Sequence, residues 1–232
     1  MSTITLLHGS SQIVEVPVLL SGNEHNDYGK GFYCTESEDM AREWACKSNT
    51  DGFVNRYILD ADELKILNLS DGTYIILNWI ALLLKNRTFK LSSSIAVNAR
   101  EYLIEHFAVD TSRYDIIIGY RADNSYFQYA EAFVENTLPL RGLNRALHLG
   151  KLGLQTVLVS ENAFDKIKFV SAESVDKTIF YPKFVSRDTK ARQTYKAEIA
   201  KSRSYIDDIF VIDILRGEMK NDDARIQRIL FE

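Results

Sequence analysis

Residues Asp27 to Thr35 read DYGKGFYCT, and upstream of them Leu6 to Ser10 read LLHGS. Gly29 and Gly31 flank Lys30, and paired glycines ahead of a strand let the chain turn sharply and bring its backbone against a flat ligand. The upstream run ends a buried-looking strand in His-Gly-Ser. Taken singly, neither is specific. A Gly-x-Gly makes a plain tight turn about as often as a ligand site, and a histidine at a strand end is more often a hydrogen-bonded structural residue.

Working outward, strand and helix periods alternate along the chain. Strands are expected over Ile4–Leu7 and Gly31–Cys34, then a helix over Ser37–Lys47. Ser37 is its N-cap, Glu38 and Asp39 suit its first turn, and Met40, Ala41 and Trp44 share a face. Asn55–Leu59 and Lys65–Leu69 read as strands, Tyr74–Lys85 and Ser94–Phe107 as helices. The continuous apolar run Asp115–Tyr120 fits a strand covered on both faces. Helices over Tyr126–Asn136 and Leu140–Leu149 precede strands over Gln155–Val159 and Lys168–Ser171. Arg187–Ser204 and the more apolar Tyr205–Arg216 read as a C-terminal helical hairpin. Strands interspersed irregularly with helices indicate an α+β fold. With no linker, repeat or low-complexity tract, the economical reading is one domain over residues 1–185, with residues 186–232 as its helical extension.

Composition excludes several classes. The 232 residues are 46% hydrophobic, enough for a substantial core. With 28 basic and 32 acidic residues the formal net charge is −4, so no global field draws the chain to a phosphate backbone, while a local basic groove stays open and nucleic acid is neither indicated nor excluded. Cys34 and Cys46 are the only cysteines, too few for a disulfide framework, which fits a reducing cytoplasm. The first residues show no basic region followed by a long apolar core, so no secretory signal is expected. The longest apolar run, Tyr74–Leu84, contains Asn78 and falls short of the roughly 20 residues a membrane-spanning helix needs, so no membrane association is expected. There is no phosphate-binding Gly-x-x-x-x-Gly-Lys and no Gly-x-Ser-x-Gly elbow. His25, His106 and His148 lack zinc-ligand spacing, so no metal is expected.

Joined in this order, LLHGS and YGKGFYCT resemble the opening of the ADP-ribosyltransferase superfamily, in its diphtheria-toxin and poly-ADP-ribose-polymerase branch. The whole chain is also similar to a bacterial domain family long labelled as of unknown function and assigned to that superfamily. The shared features are Ala122-Asp123-Asn124, the strand around Leu152–Leu158 and a helical tail. The resemblance implies a split β-sheet with flanking helices and NAD as substrate. Gly9 would present its backbone N–H and C=O to the nicotinamide carboxamide, and its lack of a side chain would serve that contact. His8 would hold an adenosine-side ribose hydroxyl. Tyr33 would lie on one face of the nicotinamide ring and Trp44 on the other, each stack contributing on the order of 1 kcal/mol beyond burial. Gly31 would let the backbone approach. Ser10 either bonds the carboxamide or makes a turn, and Lys30 either meets the pyrophosphate or is a solvated loop charge.

Enzymes of this class place a glutamate at the start of a late strand to hold the ribose 2′-hydroxyl. Here that position is Gln155, which can accept and donate hydrogen bonds but cannot act as a base. Polymer elongation is therefore disfavoured, and a working enzyme leaves two readings: the target supplies its own nucleophile, or a nearby carboxylate substitutes, for which Asp123 is preferred unless it only caps the helix that follows. The expected function is mono-ADP-ribosyl transfer to a protein or nucleic-acid acceptor by a toxin of a bacterial toxin–antitoxin or phage-defence system. An antitoxin protein would be its partner, with the helical tail from Arg187 to Arg216 as docking surface. The alternatives are a catalytically silent NAD- or partner-binding module and an NAD glycohydrolase.

Overall fold

The computed structural model describes residues 2–19, 22–122, 124–149, 153–202 and 208–231. In chain order the elements are β1 (Thr3–Ser10), β2 (Phe32–Cys34), α1 (Glu38–Ala45), β3 (Gly52–Asp60), β4 (Ile66–Asn68), α2 (Ile76–Asn86), α3 (Ser94–Phe107), β5 (Ile116–Tyr120), α4 (Asn124–Val134), α5 (Leu140–Leu149), β6 (Leu154–Leu158), α6 (Glu161–Lys166), β7 (Ile167–Val175), α7 (Lys177–Ser202), α8 (Val211–Arg216) and α9 (Ala224–Phe231). The fold is α+β. Its contacts divide the chain into two compact units interleaved in sequence: Met1–Ser70 with Asp110–Arg121 and Gly153–Arg187, and Asp71–Val109 with Ala122–Leu152 and Asp188–Glu232.

The first unit carries all the strands named above, in two sheets of order β1-β3-β7 and β2-β6-β5-β4. Every pairing within them is antiparallel except β4 with β5. An isolated bridge links the sheets, where Leu7 N–H donates to the Thr35 carbonyl at 2.8 Å and Thr35 N–H returns a bond to Leu7 at 2.9 Å.

Alternation along β1 sends successive side chains to opposite faces. Leu6 joins a core with Phe32, Cys34, Tyr57, Leu59, Ile116 and Leu158. Leu7 joins another with Ala41, Ala45, Val54 and Val175, under α1. The Ser37 hydroxyl caps α1 by accepting from Met40 N–H, with Glu38 and Asp39 in the first turn where the helix dipole favours acids. The helix lies almost on the strand backbones. A Cβ on Gly9 would stand 2.0 Å from the Ala41 carbonyl oxygen, and one on Gly52 would stand 2.0 Å from that of Ala45.

The second unit is helical in its described residues. Residues 76–84 of α2 are buried on every side, as befits a central helix apolar all round. Asn78 is its polar exception and is satisfied: its Oδ1 accepts from Ile75 N–H at 2.8 Å, and its Nδ2 donates to the Phe107 carbonyl at 2.8 Å and to Asn221 Oδ1 at 3.1 Å. No helix among the described residues is long and apolar enough to cross a membrane.

The tail differs from the expected hairpin. Its first helix begins at Lys177, because the Asp176 carboxylate accepts from Thr178 N–H at 2.7 Å and starts the turn upstream of Pro182. Of the expected helix over Tyr205–Arg216, residues 205–207 lie outside the described residues, and the described helix is Val211–Arg216, whose first turn is fixed by the Asp213 carboxylate accepting from Phe210 N–H at 2.9 Å. The six-residue α6, capped by Ser160, and the C-terminal α9 were not anticipated.

The close seat of α1 predicts that Gly9→Ala lowers stability by about 1–3 kcal/mol, since backbone rather than a flexible side chain must yield. Chemical denaturation of the variant checks this. An unchanged midpoint would mean that α1 does not rest on that strand.

Candidate functional site

The site lies where the two sheets part. In an antiparallel ladder the backbone groups of successive residues point to alternate edges. Leu7 directs its N–H and C=O to Thr35, so His8 directs its own toward β3, and Gly9 turns its N–H and C=O back to the Leu7 edge. Beyond the Leu7–Thr35 bridge no ladder joins β1 to β2 among the described residues, so this Gly9 edge faces the mouth of the split.

A side chain spans that mouth. His8 Nδ1 lies 2.7 Å from the Tyr33 carbonyl oxygen. A carbonyl can only accept, so the neutral ring carries its proton on Nδ1 and leaves Nε2 as an acceptor. The ring packs against Phe32 with centroids 4.5 Å apart. Burial, the larger influence, pushes the His8 pKa below the usual imidazole value, and the bond to Tyr33 opposes it.

Tyr33 pairs with Val157 across β2 and β6, which places it on the face opposite Phe32 and Cys34. Its hydroxyl donates to the Gly29 carbonyl at 2.7 Å and accepts from Tyr28 N–H at 3.0 Å, so the half-buried phenol is tied at its tip to the glycine turn. Gly29 has φ 75°, in the left-handed region that favours glycine. Gly31 sits so close to β6 that a Cβ would stand 2.6 Å from a Val157 methyl. Lys30 is exposed, with Nζ 3.8 Å from Glu24.

Gln155 lies two residues before Val157 on the same strand and therefore on the Tyr33 face. It is buried, and its Nε2 donates to Asp27 Oδ2 at 2.9 Å and to the Tyr120 carbonyl at 3.2 Å. Asp27 is likewise buried, which brings a carboxylate to the position where the sequence offers only an amide. The carboxylate preferred from sequence, Asp123, lies outside the described residues.

Trp44 is half-buried on α1, its Cβ 2.9 Å from where a Gly9 Cβ would stand. Its indole Nε1 is buried without a hydrogen-bond partner among the described residues. The Arg121 guanidinium lies over the ring, its carbon 4.8 Å from the centroid. One indole face thus already holds a cation. Ser10 spends its hydroxyl on a local turn, donating to the Gln12 carbonyl at 2.6 Å and accepting from Gln12 N–H at 3.0 Å. For Gly9, the missing side chain makes room for α1, so the reason for glycine at this position is packing. Cys34 is fully buried, and burial drives its thiol pKa far up, so it is no nucleophile.

Asp27 and Asn55 were not singled out from the sequence. Asp27 sits inside the motif as its first residue, where a polar residue before a glycine turn reads as turn-forming. Asn55 lies within a strand pattern. It is buried, and its Nδ2 donates to the His8 and Gln12 carbonyls at 3.2 and 3.1 Å while its Oδ1 accepts from Val14 N–H at 2.9 Å, fixing the chain that leaves β1. A shallow groove lined by Thr3, Thr5, Glu36, Glu38 and Arg56 lies toward the start of β1, before His8. Its carboxylates suit an anionic dinucleotide poorly.

A family model described as "Protein of unknown function (DUF3990)" matches residues 4–169. The chain belongs to this family. The DUF3990 match spans His8, Gly9, Asp27, Tyr33, Trp44 and Gln155 and ends before α7. Comparisons with curated proteins and with solved structures gave no match.

The site predicts that His8 of this DUF3990 chain titrates below the ordinary imidazole value of about 6.5, with Nδ1 protonated in the neutral form. In the unfolded chain the ring binds protons from about pH 6.5 downward while the folded ring does not. The His8 contribution to stability is therefore complete above that pH and declines as pH falls toward the lower folded pKa. Nitrogen NMR of labelled histidine checks both features. A titration above 6.5, or a proton on Nε2, would contradict them.

Proposed function

We propose that this protein is a mono-ADP-ribosyltransferase that takes ADP-ribose from NAD and releases nicotinamide. The observation that carries the reading is the parting of β1 from β2. It turns the Gly9 N–H and C=O to a mouth bordered by the Tyr33 ring and the neutral His8 imidazole. A carboxamide needs one donor and one acceptor side by side, which a single extended residue supplies on one edge. His8 Nε2 is an acceptor suited to a ribose hydroxyl, and a neutral ring adds no repulsion to the cationic pyridinium. The motif resemblance supports the same assignment.

In the reaction, the bond from ribose C1′ to the pyridinium nitrogen breaks with its electron pair on nitrogen, so nicotinamide leaves neutral. A lone pair on the acceptor forms the new bond to C1′, and the acceptor's proton passes to a base or to water. The protein's residues orient the two ends of the nicotinamide riboside and shelter the positive charge as it moves toward the ribose. The toxin role and an antagonist protein partner rest on the resemblance alone. Their test is whether expression of this chain arrests bacterial growth and whether coexpression of a candidate antagonist protein relieves the arrest.

Incubation with NAD labelled in its adenosine part, in lysate, is expected to leave label on macromolecules and to release nicotinamide. Protease and nuclease digestion then identifies the acceptor. His8→Ala is expected to lower kcat/KM for NAD by roughly 10- to 100-fold through the lost ribose contact. Neither labelling nor nicotinamide release from the wild-type chain would end the proposal.

One observation favours a second reading, a module that binds NAD without turning it over: the Gln155 amide donors are already committed to Asp27 and Tyr120. Calorimetric NAD binding without nicotinamide release would select it. Free ADP-ribose accumulating with no acceptor would select hydrolysis instead. In all three readings, NAD is expected to displace Arg121 from Trp44 and quench its fluorescence. Trp44→Phe should remove the response, because Trp79 is buried within the helical unit. A quench that survives this change would place the ring elsewhere.

A further inference from the structure

The loop that carries the glycine pair does more than turn the chain. Asp27 brings a buried carboxylate to Gln155 Nε2 at 2.9 Å, and the Tyr120 carbonyl takes the other Nε2 hydrogen at 3.2 Å. With both N–H groups facing acceptors, the amide orientation is determined, and its remaining polar atom, Oε1, can only accept. The loop is itself fixed against the same sheet. Tyr28 Oη donates to the Tyr120 carbonyl at 2.8 Å, and a Cβ on Gly119 would stand 2.2 Å from that hydroxyl. Through the bonds of Tyr33 to Gly29 and Tyr28, the aromatic wall and the Asp27 carboxylate belong to one hydrogen-bonded piece.

We propose that Asp27 is a positioning residue that locks the Gln155 amide with its oxygen as a dedicated acceptor for the ribose 2′-hydroxyl, the pair replacing a single glutamate. The proposal rests on the transferase reading. A carboxylate accepting one amide N–H, beside the Tyr120 carbonyl that accepts the other, polarises the amide and adds negative charge to Oε1, which favours the positive charge developing on the ribose. The pair also accounts for glutamine at this position. A glutamate would set a second carboxylate about 2.9 Å from Asp27, and two carboxylates at that separation do not both ionise near neutrality.

The test compares wild type with D27A, D27N, Q155E and the charge-exchanged D27N/Q155E, reading nicotinamide release from NAD, kcat and KM separately, across pH 5–9. D27A is expected to lose about 10- to 100-fold in kcat with KM for NAD changed much less, and D27N to recover part of it, because an amide oxygen can still accept from Gln155. Q155E is expected to show an acidic limb displaced upward by the shared proton. D27N/Q155E should shift that limb back down and exceed Q155E in rate at neutral pH, since the amide at 27 can donate to the carboxylate at 155. If D27A does not fold, as judged by circular dichroism, the Q155E comparison decides. Wild type turning over NAD while D27A matches it, or while the single and double Q155E variants share one pH profile, overturns the positioning role. Wild type binding NAD without releasing nicotinamide instead overturns the transferase reading.

Discussion

The site depends on the parting of two strands that could have continued as one sheet. β1 and β2 exchange a pair of backbone bonds at Leu7 and Thr35 and then separate. Had the ladder run on, the outward N–H and C=O of Gly9 would have met β2 and been lost to any ligand. The His8 imidazole takes the Tyr33 carbonyl in place of a backbone donor, so the split is held by a polar side chain. That one bond fixes the imidazole tautomer, anchors the strand bearing the aromatic wall and leaves an acceptor nitrogen on the ring. The separation is in turn supported on β1 by α1, pressed against Gly9 and Gly52, and at the strand's exit by Asn55.

The face of the second sheet beneath the loop of residues 22–31 has a different character. It is a dense set of polar contacts in which Asp27, Tyr28, Tyr33, Tyr120 and Gln155 satisfy one another. Buried networks of this kind hold geometry because each member left unpaired costs desolvation without return. The loop is therefore part of the site's framework. Its buried carboxylate, Asp27, is held against the Gln155 amide.

Much of this was legible in the sequence where local chemistry dictates structure. The Ser37 cap, the strands expected over Asp115–Tyr120 and Gln155–Val159 and found at Ile116–Tyr120 and Leu154–Leu158, and the largely apolar α2 follow from capping and hydrophobic patterning. The motif reading singled out His8, Gly9 and Tyr33, and the structure brings these three together. What was not legible depends on contacts between distant segments. Nothing local reveals that Asp27 meets Gln155, that Arg121 covers Trp44, or that Gly9 is required by a helix packed over it. The division into two interleaved units was equally hidden, because no linker marks it and the chain passes between the units several times. In the tail, Pro182 masked the early start of α7, since a proline suggests a boundary that the Asp176 cap overrides.

The most direct measurement is an NMR titration of the nitrogen-labelled chain with nicotinamide, following backbone amides along β1 and β2. The Gly9 amide is expected to move most and downfield, as an edge N–H gaining an acceptor should, while Leu7, already bonded to Thr35, moves little. A response confined to residues 3–7, or none at Gly9 under saturating ligand, would contradict a carboxamide site at the parting of the strands.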